Sequence, residues 1–157
     1  TVNGYRRFMP NSLAPDRATW SYDHRGTMLR VLGGFGDKAT RFENRIGEPA
    51  ANPYLFIASQ IAGGLDGIER NAQPWEADDA PYEADRPMLP TSLKDGLDAL
   101  DGSALFREAF GDTFINYYLG LKHAELNRFN AYVEDNGDQD AENDISHWEQ
   151  NEYFDFF

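Results

Sequence analysis

Apolar and polar side chains alternate in short runs along the chain up to residue 46, with Gly, Pro and Asp between the runs. A period of two residues is typical of β-strands, because successive side chains of a strand point to opposite faces. The glycine-rich residues 33–37 indicate a hairpin loop before the last run. The sequence therefore predicts four short strands in an antiparallel arrangement, at residues 2–9, 18–22, 27–32 and 38–46.

From residue 52 onwards, apolar residues recur every three or four positions, which is the spacing of one helix face. Asn52 is a suitable N-cap and Pro53 suits the first helical position, so together they predict a helix over about 53–71. Most of its side chains are apolar, and we therefore expect this helix to be buried. A proline-bearing connection over residues 72–90 separates it from the next helix.

The remaining residues predict further helices and an aromatic end. Thr91 and Ser92 can cap a helix, and the longest helix, capped by Gly111 and Asp112, is predicted over about 112–134. Its buried side is predicted to carry Phe114, Ile115, Tyr118, Leu121, Leu126, Phe129 and Val133. The aromatic residues within 148–157 predict a short helix or tail that is buried, either within the subunit or against another one.

Together these patterns predict an α+β fold, with strands over about 1–46 and mostly helices over 52–157. The chain has 157 residues, which is enough for a single domain with its own core. Because it begins inside a strand-like pattern, we expect it to be a fragment of a longer protein. The acidic residues 134–144 predict a solvated loop; a cation-binding loop is the alternative, but they lack metal-loop spacing.

The net charge of the chain limits the classes of binding partner. Lysine and arginine total 14 against 27 acidic residues, giving a net charge of −13. Nucleic acid is therefore an improbable partner, because binding it requires a basic face. The longest uncharged apolar stretch, residues 50–65, is short for a membrane span. Cysteine is absent, which excludes disulfide and thiol chemistry and fits a cytoplasmic protein.

Arginines are concentrated in the first 45 residues, and this indicates a local anion site. In the last predicted strand, Arg41, Glu43 and Arg45 share one face. One interpretation is a ladder of solvated charges across the sheet. The other is a site for anions and a metal ion, because guanidinium groups match carboxylates and phosphates and a carboxylate can bind a divalent cation.

Several short motifs occur in one order along the first half of the chain. They are Asn-Gly-Tyr-Arg-Arg-Phe at 3–8, Ala-Pro at 14–15, Asp-His-Arg-Gly-Thr-Met-Leu-Arg at 23–30, Arg-Phe-Glu-Asn-Arg at 41–45, Asn-Pro-Tyr-Leu at 52–55 and Gly-Leu-Asp-Gly-Ile at 64–68. In this order and spacing they resemble the C-terminal half of the catalytic domain of glutamine synthetase. The details look most like its γ-glutamylpolyamine and γ-glutamylputrescine synthetase branch.

The resemblance implies an ATP-dependent ligase that joins glutamate to an amine or ammonia through γ-glutamyl phosphate, with Mg²⁺ or Mn²⁺. It implies catalytic roles for Arg7 and Arg25, and glutamate binding by Arg7 and Arg45. By the same resemblance, the ATP-binding residues are Arg25, Arg30, Lys38 and Arg41. Glu43 is implied to be a metal ligand. These roles fit phosphoryl transfer, which depends on positioning and on neutralising negative charge.

One departure from the family pattern bears on the amine. Ammonia-using members typically have a glutamate before the Ala-Pro at 14–15, whereas this chain has Leu13. Loss of that carboxylate predicts weak use of ammonium and a more apolar space. The sequence therefore favours putrescine, a polyamine or an alkylamine as substrate. An ammonia-using glutamine synthetase and a noncatalytic relative remain the alternatives.

The resemblance also implies that the site is completed by residues outside this chain. We therefore expect the 157 residues alone to be inactive and the full-length protein to form homo-oligomeric rings. His24, in the turn beside Arg25, could approach a nucleotide or serve the turn itself.

Overall fold

The structure is a computed structural model, which describes residues 1–8, 12–136 and 145–155. It has a 3-10 helix at Asn3–Phe8 and three strands: β1 at Trp20–Tyr22, β2 at Leu29–Leu32 and β3 at Arg41–Asn44. Within the described residues, five helices follow: α1 at Pro53–Glu69, α2 at Leu93–Asp101, α3 at Ala104–Phe110, α4 at Asp112–Asn136 and α5 at His147–Tyr153. This order of strands and then helices confirms the predicted α+β class.

The chain forms two compact units. The helical unit comprises the described residues of Thr1–Arg6, Ala50–Arg70 and Pro90–Phe157. The sheet unit comprises those of Arg7–Pro49 and Asn71–Leu89. Each chemistry-bearing residue predicted from the sequence belongs to the sheet unit.

The three strands form a sheet in the order β1-β2-β3. Strands β2 and β3 are antiparallel and are joined by the predicted hairpin connection, whereas β1 and β2 are parallel. The prediction of a wholly antiparallel arrangement was therefore wrong. The reason is the loop between β1 and β2, where Thr27 is buried and its hydroxyl donates to the carbonyl of His24 at 2.8 Å. This loop brings the chain back to the start of β1, where the Leu29 N–H donates to Thr19 at 3.0 Å.

The predicted strand at residues 2–9 was also wrong, because Asn3–Phe8 is a 3-10 helix. Alternation would place Asn3 and Arg7 on one face. In a 3-10 helix, side chains three residues apart are aligned instead, and Asn3 and Arg6 both donate to the carboxylate of Glu149 in α5. The side-chain pattern of so short a segment did not distinguish a strand from a turn of helix held by a distant partner. Met9, at the end of the predicted strand, lies outside the described residues.

Helix α1 begins as predicted, with the Asn52 side chain accepting hydrogen bonds from the backbone N–H groups of Tyr54 and Leu55. Its predicted burial was wrong, since within the described residues none of its side chains is fully buried. The exposed apolar residues are Tyr54, Ile57, Ile61, Leu65 and Ile68. The described chain does not supply the surface that would cover this face.

The core of the helical unit lies between α2 and α4. Its buried members are Leu93, Leu97, Ile115 and Leu119. Ser92 caps α2, as predicted, and Ser103 caps α3. Along α4, the predicted burial of Ile115 and Phe129 is confirmed, whereas Leu121 is 53% exposed and Leu119 is buried. The choice between these two leucines depends on where α2 packs, which helical periodicity alone does not specify.

Helix α5 corresponds to the short aromatic helix or tail predicted at the end of the sequence. Trp148 packs against Phe129 of α4, with ring centroids 5.2 Å apart, and against Tyr153. Phe154 is 82% exposed in this chain, so its predicted burial could come only from another subunit and stays a prediction. Most of the predicted acidic loop, at residues 137–144, lies outside the described residues, and 134–136 belong to α4. Among the described residues, no helix is long and apolar enough to span a membrane.

Candidate functional site

The register of the sheet places three polar residues in one row across the strands. Arg30 of β2 pairs with Glu43 of β3 on one side and with Ser21 of β1 on the other. The Arg30 Nη1 donates to the Glu43 Oε2 at 3.4 Å. Residues paired across an antiparallel sheet have neighbouring side chains, so this contact follows from the register itself.

Arg45 adds a second guanidinium to Glu43. It follows β3 directly, and its backbone N–H donates to the Met28 carbonyl at 2.9 Å, which fixes its position. The Arg45 Nε lies 3.3 Å from the Glu43 Oε1. The carboxylate of Glu43 therefore lies between two guanidiniums. A ladder of solvated charges would give the same arrangement, so a ligand site requires a further observation.

That observation is a pair of unsatisfied donors. The Arg30 Nε and the Arg45 Nη1 are buried and have no hydrogen-bond partner among the described residues. A buried donor left unpaired costs about 1–3 kcal/mol, and more when it is charged. A carboxylate or phosphate oxygen is the group that guanidinium N–H donors pair with best. The chemistry of this cluster therefore fits an anionic ligand.

Asp23 is a member of this cluster that sequence reasoning did not select as a site residue. It follows β1 and contacts the Arg30 Nη2 with its carboxylate. Its backbone is in the left-handed region, with φ of +48°. Asp is one of the few residues that tolerate this conformation. An Asp immediately after a predicted strand was therefore the sequence feature that could have identified this residue.

Arg7 contacts the backbone of the residues that follow β3. Its guanidinium donates to the carbonyl of Gly47 at 2.5 Å and to that of Arg45 at 3.2 Å. These bonds use the backbone and leave the Arg7 side chain exposed. The structure thus brings Arg7, Arg30, Glu43 and Arg45 into one connected group.

The other predicted residues do not join this group through contacts. Arg25 and Lys38 are exposed, and neither forms an ion pair with the residues the structure describes. Arg41 is exposed, and its guanidinium donates to the Ala39 carbonyl at 2.9 Å. Their predicted roles toward ATP stay predictions. The His24 Nδ1 accepts a hydrogen bond from the Gly26 N–H at 3.0 Å, so it shapes the turn.

A complete metal site is not formed by the part of the chain that is described. Among those residues there is no group of three or more His, Cys, Asp or Glu side chains that could hold a metal ion. Glu43 can supply at most one ligand, and its oxygens here face Arg30 and Arg45. The described residues of this chain therefore fit an anion and do not fit a metal ion by themselves.

Leu13, the residue that departs from the family pattern, is exposed. Its side chain is 76% exposed and its φ is +60°, which is unfavourable for a side chain with no polar atom. A strained backbone with an exposed apolar side chain is uncommon, and such positions cluster at ligand sites. The geometry makes Leu13 a candidate contact for a ligand.

Residues 1–139 match the family described as glutamine synthetase, catalytic domain. The γ-glutamylanilide synthase of Acinetobacter sp. is 53% identical, over 98% of this chain and 31% of its own length. The γ-glutamylethanolamide synthetase of Streptomyces coelicolor is 38% identical, over 85% of this chain and 29% of its own length. A glutamine synthetase of Pyrococcus horikoshii is 34% identical, over 98% of this chain and 36% of its own length.

The fold agrees with these matches. A solved structure of apo GmaS without ligand superposes with a TM-score of 0.71 and 29% identity, covering 99% of this chain and 33% of that chain. The chain thus spans about a third of the length of the proteins it matches.

Proposed function

The chain belongs to the glutamine synthetase family, and we propose that the protein containing it forms γ-glutamyl amides from glutamate and an organic amine. Members of the family use ATP and divalent metal ions and act on glutamate with ammonia or an amine. In this proposal, ATP phosphorylates the γ-carboxylate of glutamate with release of ADP. The amine then attacks the acyl phosphate carbon, and phosphate leaves as the amide forms.

The observation that carries the proposal is the arginine cluster around Glu43. Both Arg30 and Arg45 have a buried N–H group without a partner among the described residues, which an incoming anion would satisfy. Phosphoryl transfer spreads negative charge over the transferred group, and fixed cations stabilise that charge without reorganising. We assign Arg25 and Arg30 to the phosphates of ATP, with Lys38 and Arg41 nearer the nucleotide.

Glutamate is assigned to the other end of the cluster. Arg45 can pair with a substrate carboxylate in a bidentate manner. Arg7 is bound to the carbonyls of Gly47 and Arg45, which holds it beside that position. There it can contact both glutamate and the transferring phosphoryl group, and Arg25 can stabilise the same group from the turn. Arg7 and Arg25 are therefore the proposed catalytic residues.

Glu43 is the proposed ligand of Mg²⁺ or Mn²⁺, the hard divalent ions that carboxylates bind in phosphate sites. The described residues do not form a group of three or more metal-binding side chains, so we propose that the other ligands lie outside the described part of the chain. The same incompleteness predicts that the chain alone has no turnover. Assembly as rings and a cytoplasmic location are further parts of the proposal.

The amine is proposed to be organic rather than ammonia. Leu13 places an exposed apolar side chain where ammonia-using members have a carboxylate. Two relatives are named for aniline and ethanolamine amides, which also favours an organic amine. An apolar contact favours an aryl amine or the apolar chain of an alkylamine. A polyamine is the alternative, because the sequence motifs resemble the γ-glutamylpolyamine and γ-glutamylputrescine synthetase branch.

The test is phosphate release by the full-length protein with ATP and glutamate. The amines compared are ammonia, ethanolamine, aniline, putrescine and spermidine, and reactions without glutamate are the control. We expect an organic amine to give the highest kcat/KM. A preference for ammonia would identify a glutamine synthetase, and no glutamate-dependent release with any amine would favour a noncatalytic protein.

A further inference from the structure

We propose that Asp23 is a positioning residue, which holds the guanidinium of Arg30 in the orientation that binds phosphate. The inference rests on the proposed function, because it assigns Arg30 to the phosphates of ATP. It adds a carboxylate that is not itself a ligand of ATP, glutamate or metal. Its role is to fix one arginine.

The hydrogen bonds of Arg30 show why a further anchor is needed. Its side chain is only 14% exposed, and its contact with Glu43 is long, at 3.4 Å. Glu43 is also shared with Arg45, at 3.3 Å. The Arg30 Nε is buried and has no partner among the described residues. Without Asp23, a rotatable side chain would be held by one long ion pair.

Asp23 contacts the one terminal nitrogen that Glu43 does not. Its carboxylate pairs with the Arg30 Nη2, while Glu43 pairs with Nη1. Two carboxylates on the two terminal nitrogens fix the plane of a guanidinium. The Nε is then the donor left over for an anionic ligand.

The backbone of Asp23 is also held in a fixed conformation. Its N–H donates to the Val31 carbonyl at 2.9 Å, next to Arg30 in β2. This bond and the left-handed φ of +48° fix the direction in which the side chain leaves the chain. Asn and Asp tolerate this region of φ and ψ better than other side chains. Asp23→Asn therefore removes the charge and leaves the backbone nearly unchanged.

The first test observes Arg30 directly and requires no ligand. In the 157-residue chain, the ¹⁵N relaxation of the Arg30 Nε–H group reports whether its guanidinium is ordered. We expect an ordered Nε–H in the wild type and a mobile one in D23N. Asp98→Asn is the matched control, because Asp98 also forms an exposed ion pair, with Lys94 of the same helix. An Arg30 Nε–H that is equally ordered in D23N and in the wild type would overturn the proposal.

The second test is kinetic and uses the full-length protein. We expect D23N to lower kcat/KM for ATP by about 10- to 100-fold, because small misplacements of a group that binds the reacting phosphate have effects of this size. The KM for glutamate and the Tm should stay near their wild-type values. A fall in Tm with unchanged kinetics would show a structural role and would contradict the proposal.

The two proposals fail in different ways. A wild-type full-length protein that releases no phosphate would refute the ligase activity, and the relaxation of Arg30 would still decide whether Asp23 positions it. Conversely, an active wild type whose D23N variant keeps its kcat/KM for ATP would refute the role of Asp23 alone.

Discussion

Both carboxylate oxygens of Glu149 in α5 accept hydrogen bonds from one edge of the Arg6 guanidinium, at 2.8 Å from Nε and 2.7 Å from Nη2. The same carboxylate accepts from Asn3 and from the backbone N–H of Ser146, and Glu149 is only 2% exposed. This one side chain thus closes a capping box on α5 and ties the 3-10 helix to it.

Glu149→Gln should destabilise the helical unit by about 3 kcal/mol at neutral pH, because it leaves a nearly buried arginine without its charged partner. Urea unfolding of the chain measures this loss. Glu152→Gln in the same helix is the control, since Glu152 pairs with the more exposed Arg128 and should cost under about 1 kcal/mol. Equal losses in the two variants would contradict the importance of burial.

The effect of Glu149 should also depend on pH. Burial alone would raise the pKa of Glu149, but hydrogen bonds from Arg6 and Ser146 together hold its pKa below the ordinary 4.5. A carboxyl with a lowered pKa stabilises the fold above its unfolded pKa and loses that contribution as the pH falls through the folded value. The difference in unfolding free energy between wild type and E149Q should therefore be largest at neutral pH and shrink below about 4.5. A difference that does not change with pH would contradict this.

Gly33→Ala should disturb the β2–β3 hairpin that carries Lys38 and Arg41. A Cβ at Gly33 would lie 2.7 Å from the Thr40 Cα, and its φ is +79°. Gly36→Ala is the matched control, because its φ is +81° but a Cβ there would meet open space. We expect the left-handed backbone to lower the stability of each variant by about 1–2 kcal/mol, with an added loss only in G33A. Hydrogen exchange of the β3 amide groups measures both, and equal exchange rates would contradict the clash.

Leu97→Ala should cost about 2–5 kcal/mol, because Leu97 is buried in the core between α2 and α4. Leu65→Ala on α1 should change the unfolding free energy by less than about 0.5 kcal/mol, because Leu65 is exposed in this chain. Urea unfolding of the 157-residue chain at two protein concentrations measures the loss in each variant. A large, concentration-dependent loss in L65A would show that copies of the chain cover this face in solution.

Leu13→Glu in the full-length protein should shift the amine preference toward ammonium, because a carboxylate there can attract the cation. We expect kcat/KM for ammonia relative to aniline to rise by about tenfold, or about 1.4 kcal/mol. Leu13→Gly is the control, since it relieves the positive φ and removes the side chain without adding charge. A similar shift in L13G would assign the effect to size or backbone strain instead of charge.

Local signals in the sequence determined much of the helical unit. Asn52 and Ser92 each cap the helix that follows them, as predicted, because a cap depends only on residues within one turn. The hairpin between β2 and β3 was likewise predicted from its glycines. The motifs also identified Arg30, Glu43 and Arg45, which the sheet register brings into contact.

Only the tertiary structure decided the features that depend on distant partners. Residues 3–8 were predicted as part of a strand, but Glu149 holds them as a 3-10 helix. The buried loop at Thr27 makes β1 parallel to β2, which strand-like periodicity does not encode. Asp23 gains its contact with Arg30 from a left-handed turn, and α1 keeps an apolar face that its sequence alone would bury. In each case the residues carry the chemistry, and long-range packing decides which partner that chemistry meets.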